Sequence, residues 1–294
     1  VSTTPSKNFP TWALFSLAAN LLLLMGLTWV LLPSAQLSLP YPIKKSAATT
    51  QAPKSTPDEP PPPPELGPRH QLNYQEWVVL LEKEADVIAS RQPEHLAILL
   101  GDSLSLWFPN ELLPQETIWL NQGISGETSA GLVERLNLLD KTKPDVIFVM
   151  IGINDLIRGV EDRTILKNQE LIIRNLRRVH PKAKIVLQSI LPHGAEKSTW
   201  QRRDRLLEIP NSRIQQLNQR LKAIAQSQGA IYLDLYPLFA EESGNMNMAL
   251  STDGLHLSPK GYLVWHYALQ VVNQMGRDGG LRSGGETGKM PVLR

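Results

Sequence analysis

Leu96-Ala97-Ile98-Leu99-Leu100-Gly101-Asp102-Ser103-Leu104-Ser105 runs five apolar residues straight into Gly-Asp-Ser. A strand covered on both faces reads this way, and so does the abrupt turn that ends it. A serine just past the carboxyl edge of such a strand lies where open α/β sheets bind ligands. Gly-Asp-Ser is equally ordinary turn chemistry, because Asp and Ser side chains bond to nearby backbone and Gly accepts positive φ. The role of Ser103 therefore depends on what other stretches bring to it.

Outward from this strand, the chain alternates between two periods. Glu76–Ala89 carries apolar residues at helical spacing before it, and Thr117–Asn121 reads as a short strand after it. Ser129–Leu139 has helical spacing, with Leu132, Val133, Leu136 and Leu139 on one side. Asp145–Ile151 is apolar almost throughout and is the strongest strand signal. Thr164–Val179 reads as a helix, Lys184–Ser189 as a strand, and Asn211–Gln228 as a helix closed by Gly229. Ala230–Asp234 reads as a strand. Ser258–Met275 is the last helix, with Ser258 as cap and Pro259 at its first position. Strands alternating with helices predict an α/β fold: a parallel sheet with helices on both faces.

This alternation occupies residues 69–275 and not the flanks. Residues 1–10 form a short tail. Thr11–Leu32 has no charged residue and only Ser16, Asn20 and Thr28 as interior polar groups. About 20 such residues span a bilayer as a helix, whereas a cleaved signal peptide has an apolar core of roughly 7–15. An uncleaved membrane anchor is the expectation. Residues 33–68 are rich in Pro, Ser, Thr and Ala and include the run Pro60–Pro64, a composition that predicts an extended, disordered stalk. Residues 276–294 are Gly-rich without an apolar period and read as a disordered tail. Lysines flank the apolar run on both sides, at Lys7 and at Lys44 and Lys45, so charge does not fix its orientation. A long stalk after a short tail suits an exported domain.

The chain of 294 residues, 42% of them hydrophobic, holds enough apolar material for a sizeable core. A net charge of +2 gives no nucleic-acid footprint, and Arg202, Arg203 and Arg205 form only a short local cluster. There is no cysteine, which excludes disulfides, thiolate metal sites and a cysteine nucleophile.

Four stretches fall at strand ends or in the loops between elements: Gly101–Ser105, Asn121–Thr128, Ile151–Asp155 and Asp253–His256. A serine hydroxyl needs a base, and His256 can serve. Asp253, three residues earlier, can hold the other imidazole nitrogen. An acyl-transfer intermediate also needs donors aimed at its oxygen. The backbone N–H groups of Ser103 and Gly126 and the side-chain amide of Asn154 can supply them. Each residue alone is ordinary: Gly123 and Gly126 as turn glycines, Asn154 as a cap, His256 as a surface histidine. All four stretches in this order are not.

The set resembles the SGNH hydrolases, also called GDSL-type lipases and esterases, over about Leu96–Met275. The resemblance implies a flavodoxin-like three-layer α/β/α sandwich with a parallel sheet of about five strands. It implies Ser103, Asp253 and His256 as catalytic residues and Ser103, Gly126 and Asn154 as the oxyanion hole, with neither cofactor nor metal. The Gly-x-Ser-x-Gly elbow of α/β-hydrolases is absent. The function implied is hydrolysis of a carboxylic ester on a small molecule, lipid or saccharide. An acyltransferase with the same residues and a non-catalytic module on the same fold are the alternatives. The polar stretch Leu191–Pro210 is either one wall of the substrate pocket or a simple surface connection, and His193 within it is a candidate pocket residue.

Overall fold

The computed structural model of the chain describes residues 72–278. The expected anchor at 11–32, the stalk, the short tail and most of the Gly-rich tail lie outside the described residues. Among the described residues no helix is long and apolar enough to cross a membrane.

Helix α1 (Tyr74–Arg91) opens the described chain with a capping box: Asn73 Oδ1 accepts from Glu76 N–H, and Glu76 accepts from Asn73 N–H. Strand β1 (Leu96–Gly101) follows, then a single turn, α2 (Ser103–Leu106), then β2 (Ile118–Gly123) and α3 (Ser129–Glu134). Next come β3 (Val146–Met150), the short α4 (Ile153–Ile157), α5 (Asp162–Val179) and β4 (Lys184–Gln188). The last part holds α6 (Arg203–Leu207), α7 (Asn211–Ser227), β5 (Ile231–Leu233), α8 (Tyr236–Phe239) and α9 (Pro259–Asp278).

The five strands form one parallel sheet in the order β2-β1-β3-β4-β5. That is the flavodoxin-type order, with its topological switch beside β1 and β3. Strand alternation sends side chains to two cores. Ile98, Leu100, Ile147, Val149, Ile185 and Leu187 face one layer, where α3, α5 and α7 pack. Ala97, Leu99, Phe148, Met150 and Val186 face the other, filled by Phe239 of α8 and by Tyr262, Trp265 and Leu269 of α9. Trp265 is fully buried, and its indole N–H donates to Gln188 Oε1 at 2.7 Å.

Every strand and helix expected within the described residues is present, with three corrections. The helix expected over Ser129–Leu139 stops at Glu134 and continues as a 3₁₀ turn, Leu136–Leu139, after Arg135 leaves the helical conformation. The last helix runs three residues past Met275, to Asp278. Leu191–Pro210 is no plain connection: it contains a 3₁₀ turn (Ala195–Lys197) and α6, and Leu191, Pro192, His193 and Gly194 are buried.

Candidate active site

In-register pairing sets the first three stretches side by side. Gly101 at the end of β1 pairs with Gly123 of β2 on one side and Met150 of β3 on the other. The loops and turns leaving those strands therefore meet at one carboxyl edge. Asp102 caps the turn that begins at Ser103: its Oδ1 accepts from Leu104 N–H at 3.0 Å, and Trp107 N–H closes on the Ser103 carbonyl at 3.0 Å. Gly101 is required for close approach, not for positive φ. A Cβ there would lie 2.3 Å from the Met150 carbonyl oxygen. Asn121 clamps the turn to β2, donating to the Ser105 carbonyl at 2.6 Å while accepting from Gly123 N–H at 3.0 Å.

Gly126 adopts φ +74°, the left-handed region that favours glycine, and a Cβ there would make only an ordinary contact, 3.7 Å from Arg158 Nη2. Its loop is held from behind. The next residue, Glu127, is fully buried and accepts from Arg135 Nε at 2.8 and 3.0 Å and from Arg135 Nη2. Arg135 Nη2 also donates to the Gln122 carbonyl at 2.7 Å. The Tyr74 hydroxyl of α1 donates to Glu127 at 3.1 Å, and burial together with that carboxylate pushes the phenol up to about 12. From the front, Arg158 Nη2 donates to the Gly126 carbonyl at 2.7 Å.

Asn154 sits in the first turn of α4. Its side-chain nitrogen is buried and has no hydrogen-bond partner. Its neighbour Asp155 ties this turn to the Gly126 loop, taking both the N–H (2.8 Å) and the hydroxyl (2.6 Å) of Ser129. Burial raises the Asp155 pKa, against the lowering effect of those Ser129 bonds. Asn168 of α5 donates to the same hydroxyl at 3.0 Å.

The fourth stretch is a tight loop. Asp253 Oδ2 meets His256 Nδ1 at 2.8 Å, while Oδ1 accepts from Leu255 N–H at 2.9 Å and His256 N–H at 2.8 Å. Burial alone would raise the Asp253 carboxyl; the bonds from His256 and Leu255 outweigh it and hold the group below its ordinary value. With Nδ1–H given to Asp253, Nε2 carries the imidazole lone pair. The His256 ring packs on the exposed Trp107 ring, centroids 4.4 Å apart, so this loop lies directly beside the Ser103 turn. The Tyr262 hydroxyl adds a second tie, donating to the Leu104 carbonyl at 3.1 Å.

Asp253 and His256 are thus bonded directly, Ser103 is joined to them through Trp107, and Gly126 and Asn154 are joined through Ser129, Asp155 and Arg158. Among the described residues the His256 ring bonds through Nδ1 and makes no hydrogen bond to Ser103 Oγ. Such bonds commonly tighten only when substrate is present. Asp102, next to the nucleophile candidate, is fully buried with Oδ2 unpartnered, and burial pushes its carboxyl up to about 7.

Leu191–Pro210 supports the fourth stretch rather than standing apart from it. Ser198 Oγ, Thr199 N–H and Trp200 N–H all donate to the Asp253 carbonyl, at 2.8, 2.8 and 3.0 Å. His193 is buried and fully occupied: Nε2 contacts the Ile209 carbonyl at 2.6 Å, and Nδ1 accepts from Ala195 N–H at 3.1 Å. Burial lowers its pKa, so it is a neutral structural staple and not a pocket residue. Among the described residues no cluster of three or more His, Asp or Glu side chains is placed to hold a metal ion. Tyr74, Glu127, Arg135, Asp155, Ser129 and Trp107 escaped sequence reading as site residues. The signal available for the first three was a glutamate inside a glycine loop, where an uncompensated charge has no reason to be buried.

Residues 99–264 match the GDSL-like Lipase/Acylhydrolase family. The chain is 28% identical over 188 residues to the rat platelet-activating factor acetylhydrolase IB subunit alpha2, covering 60% of this chain and 75% of that one. It is 32% identical over 100 residues to a Vibrio mimicus arylesterase, 29% of this chain and 50% of the relative. Among solved structures, a GDSL-like lipase from Bacteroides thetaiotaomicron superposes with a TM-score of 0.55 at 20% identity, over 67% of this chain and 98% of that one. With the family match spanning the first three stretches and the fourth, the chain is a hydrolase and belongs to the GDSL-like lipase/acylhydrolase family.

Proposed function

We propose that the protein is a serine esterase working through an acyl-enzyme on Ser103. His256 Nε2 takes the hydroxyl proton as Ser103 Oγ attacks the ester carbonyl, and Asp253 stabilises the imidazolium that forms. The carbonyl oxygen, now an oxyanion, is received by the Ser103 and Gly126 N–H groups and the Asn154 amide. His256 passes its proton to the departing alcohol, then activates a water that releases the acid.

The observation that carries this reading is the unpartnered, buried Asn154 amide nitrogen. Leaving such a donor unsatisfied costs about 1–3 kcal/mol, a cost that an oxyanion would relieve and that a purely structural role would have no use for. Replacing Asn154 by Ala is expected to lower kcat by about 10²–10³-fold with no fall in Tm, since no intramolecular bond is lost. In the same full-length protein a fluorophosphonate should label Ser103 and abolish turnover of p-nitrophenyl acetate. Labelling elsewhere, or activity that survives Ser103→Ala, would overturn the assignment.

We also infer that the apolar run at 11–32 anchors the enzyme in a membrane and that residues 33–68 space the hydrolase domain from it, on the exported side. Length and composition support this. A reporter fused after Arg294 should be active outside the cytoplasm, and a cytoplasmic signal would refute the orientation.

A further inference from the structure

A groove of about 620 Å³ lies between α1, β2 and the segment after α2. Trp77, Leu81 and Ile88 of α1 form one wall, Trp107 and Leu113 the other, with Trp119 of β2 along it. Its size is that of a small-molecule site. Along α1, Trp77 to Ile88 is eleven residues, or about 16 Å of helix. The groove is therefore long enough for an extended chain, and its aromatic and aliphatic lining is interrupted by Lys83, Glu84 and Asn110.

Trp107 connects this groove to the reaction centre. The same indole that lines it packs on the His256 ring, centroids 4.4 Å apart. Proton transfer decides which part of an ester lies on that side. The departing alcohol oxygen must take its proton from His256, so it sits on the His256 side of the acyl carbon. The carbonyl oxygen turns instead toward Gly126 and Asn154.

We propose that the groove binds the leaving-alcohol arm of the ester, and that this arm is an uncharged alkyl or aryl-alkyl chain. The proposal rests on the serine-esterase reading for its chemistry. As Ser103 Oγ bonds to the acyl carbon, the carbon–oxygen bond to this alcohol breaks. The alkoxide oxygen takes the proton that His256 accepted from Ser103, and the neutral alcohol leaves along the groove. Water then splits the acyl-enzyme to give the carboxylic acid and free Ser103.

Two measurements on the full chain test this. First, acetate esters of straight-chain alcohols are compared with ethyl esters of straight-chain acids. Each methylene added to the alcohol should raise kcat/KM roughly three- to fourfold until the groove is filled, while lengthening the acid should not. A rise that tracks the acid arm, or no rise at all, overturns the proposal. Second, 1-alkanols are titrated while tryptophan fluorescence is monitored, a binding readout that needs no turnover. Affinity should rise by a similar factor per methylene, and Val87→Arg and Asn110→Arg should flatten that dependence. Both positions are exposed and line the groove, so the fold tolerates the charge. Unchanged chain-length dependence in both variants would place the alkanol elsewhere and defeat the assignment. Hydrolysis that ignores Ser103→Ala counts against the esterase reading; Ser103-dependent hydrolysis with no alcohol-length effect counts against the groove alone.

Discussion

Asp253→Asn is expected to lower kcat about 10⁴-fold while leaving the domain folded. The reason lies in how Asp253 divides its two oxygens. Oδ1 accepts from the Leu255 and His256 N–H groups, and Oδ2 takes the imidazole Nδ1. An Asn side chain has one oxygen, and the two backbone donors fix where it goes. Its NH₂ group then faces Nδ1, which has to become the acceptor. The imidazole proton moves to Nε2, and the nitrogen that takes the Ser103 proton in the proposed mechanism no longer has a lone pair for it. The loop itself keeps its backbone bonds, among them the Ser198, Thr199 and Trp200 donors to the Asp253 carbonyl. The measurements are kcat on p-nitrophenyl acetate, Tm, and the imidazole ¹⁵N shifts, which report the tautomer directly. A loss of less than about tenfold would show that Asp253 does not set the tautomer.

The largest expected stability effect is at Arg135. Arg135→Met leaves the Glu127 carboxylate fully buried without its cation, and Tyr74 alone cannot replace three N–H contacts. Breaking a buried pair on one side costs about 3–5 kcal/mol, which for a domain of this size is a Tm fall of roughly 6–20 °C. The double variant Glu127→Leu/Arg135→Met removes both charges and should regain most of that loss, because desolvating the pair is itself costly. Its activity should not return with it. Glu127 directly follows Gly126, and displacing the loop that carries this proposed oxyanion donor is expected to cost about 10–100-fold in kcat. Thermal melts and kinetics on the parent, the two single variants Arg135→Met and Glu127→Leu, and the double variant form a double-mutant cycle. A single variant as stable as the parent, or a double variant with full activity, would show that the pair does not hold the loop.

The features legible in the sequence are those written in local patterns. The apolar runs of β1 and β3 announced a sheet covered on both faces, and the four stretches fell at its carboxyl edge because each directly follows a strand or precedes a helix. Pairings between positions with no regular spacing were hidden. Glu127 and Arg135 are eight residues apart, outside the three- and four-residue spacing that links side chains on a helix. Their contact also explains why the helical period of Ser129–Leu139 misleads: Arg135 terminates α3 with its side chain turned back to Glu127. The polar look of Leu191–Pro210 concealed its role for a different reason. It supports Asp253 mainly by donating to a main-chain carbonyl, and two of those three donors are backbone N–H groups that almost any residue provides. Gly101 was legible as a glycine that matters but not for the right cause, since crowding against Met150 arises only when β3 is in place.

Helix α1 lies wholly before residue 99, where the family match begins. Yet Tyr74 in its first turn holds Glu127, the Leu81 carbonyl accepts from Gln122 Nε2 at 3.2 Å, and Trp77 and Leu81 pack on Ile124 of the same loop. Mechanically, α1 is the lever through which any pull on the preceding chain enters the domain. Tension applied at Asn73 reaches the capping box first, which resists unwinding of the opening turn, and Tyr74 next. The first long-range side-chain bond under load is therefore one that steadies the Gly126 loop, so any tether on the preceding chain would share a mechanical path with the proposed chemistry.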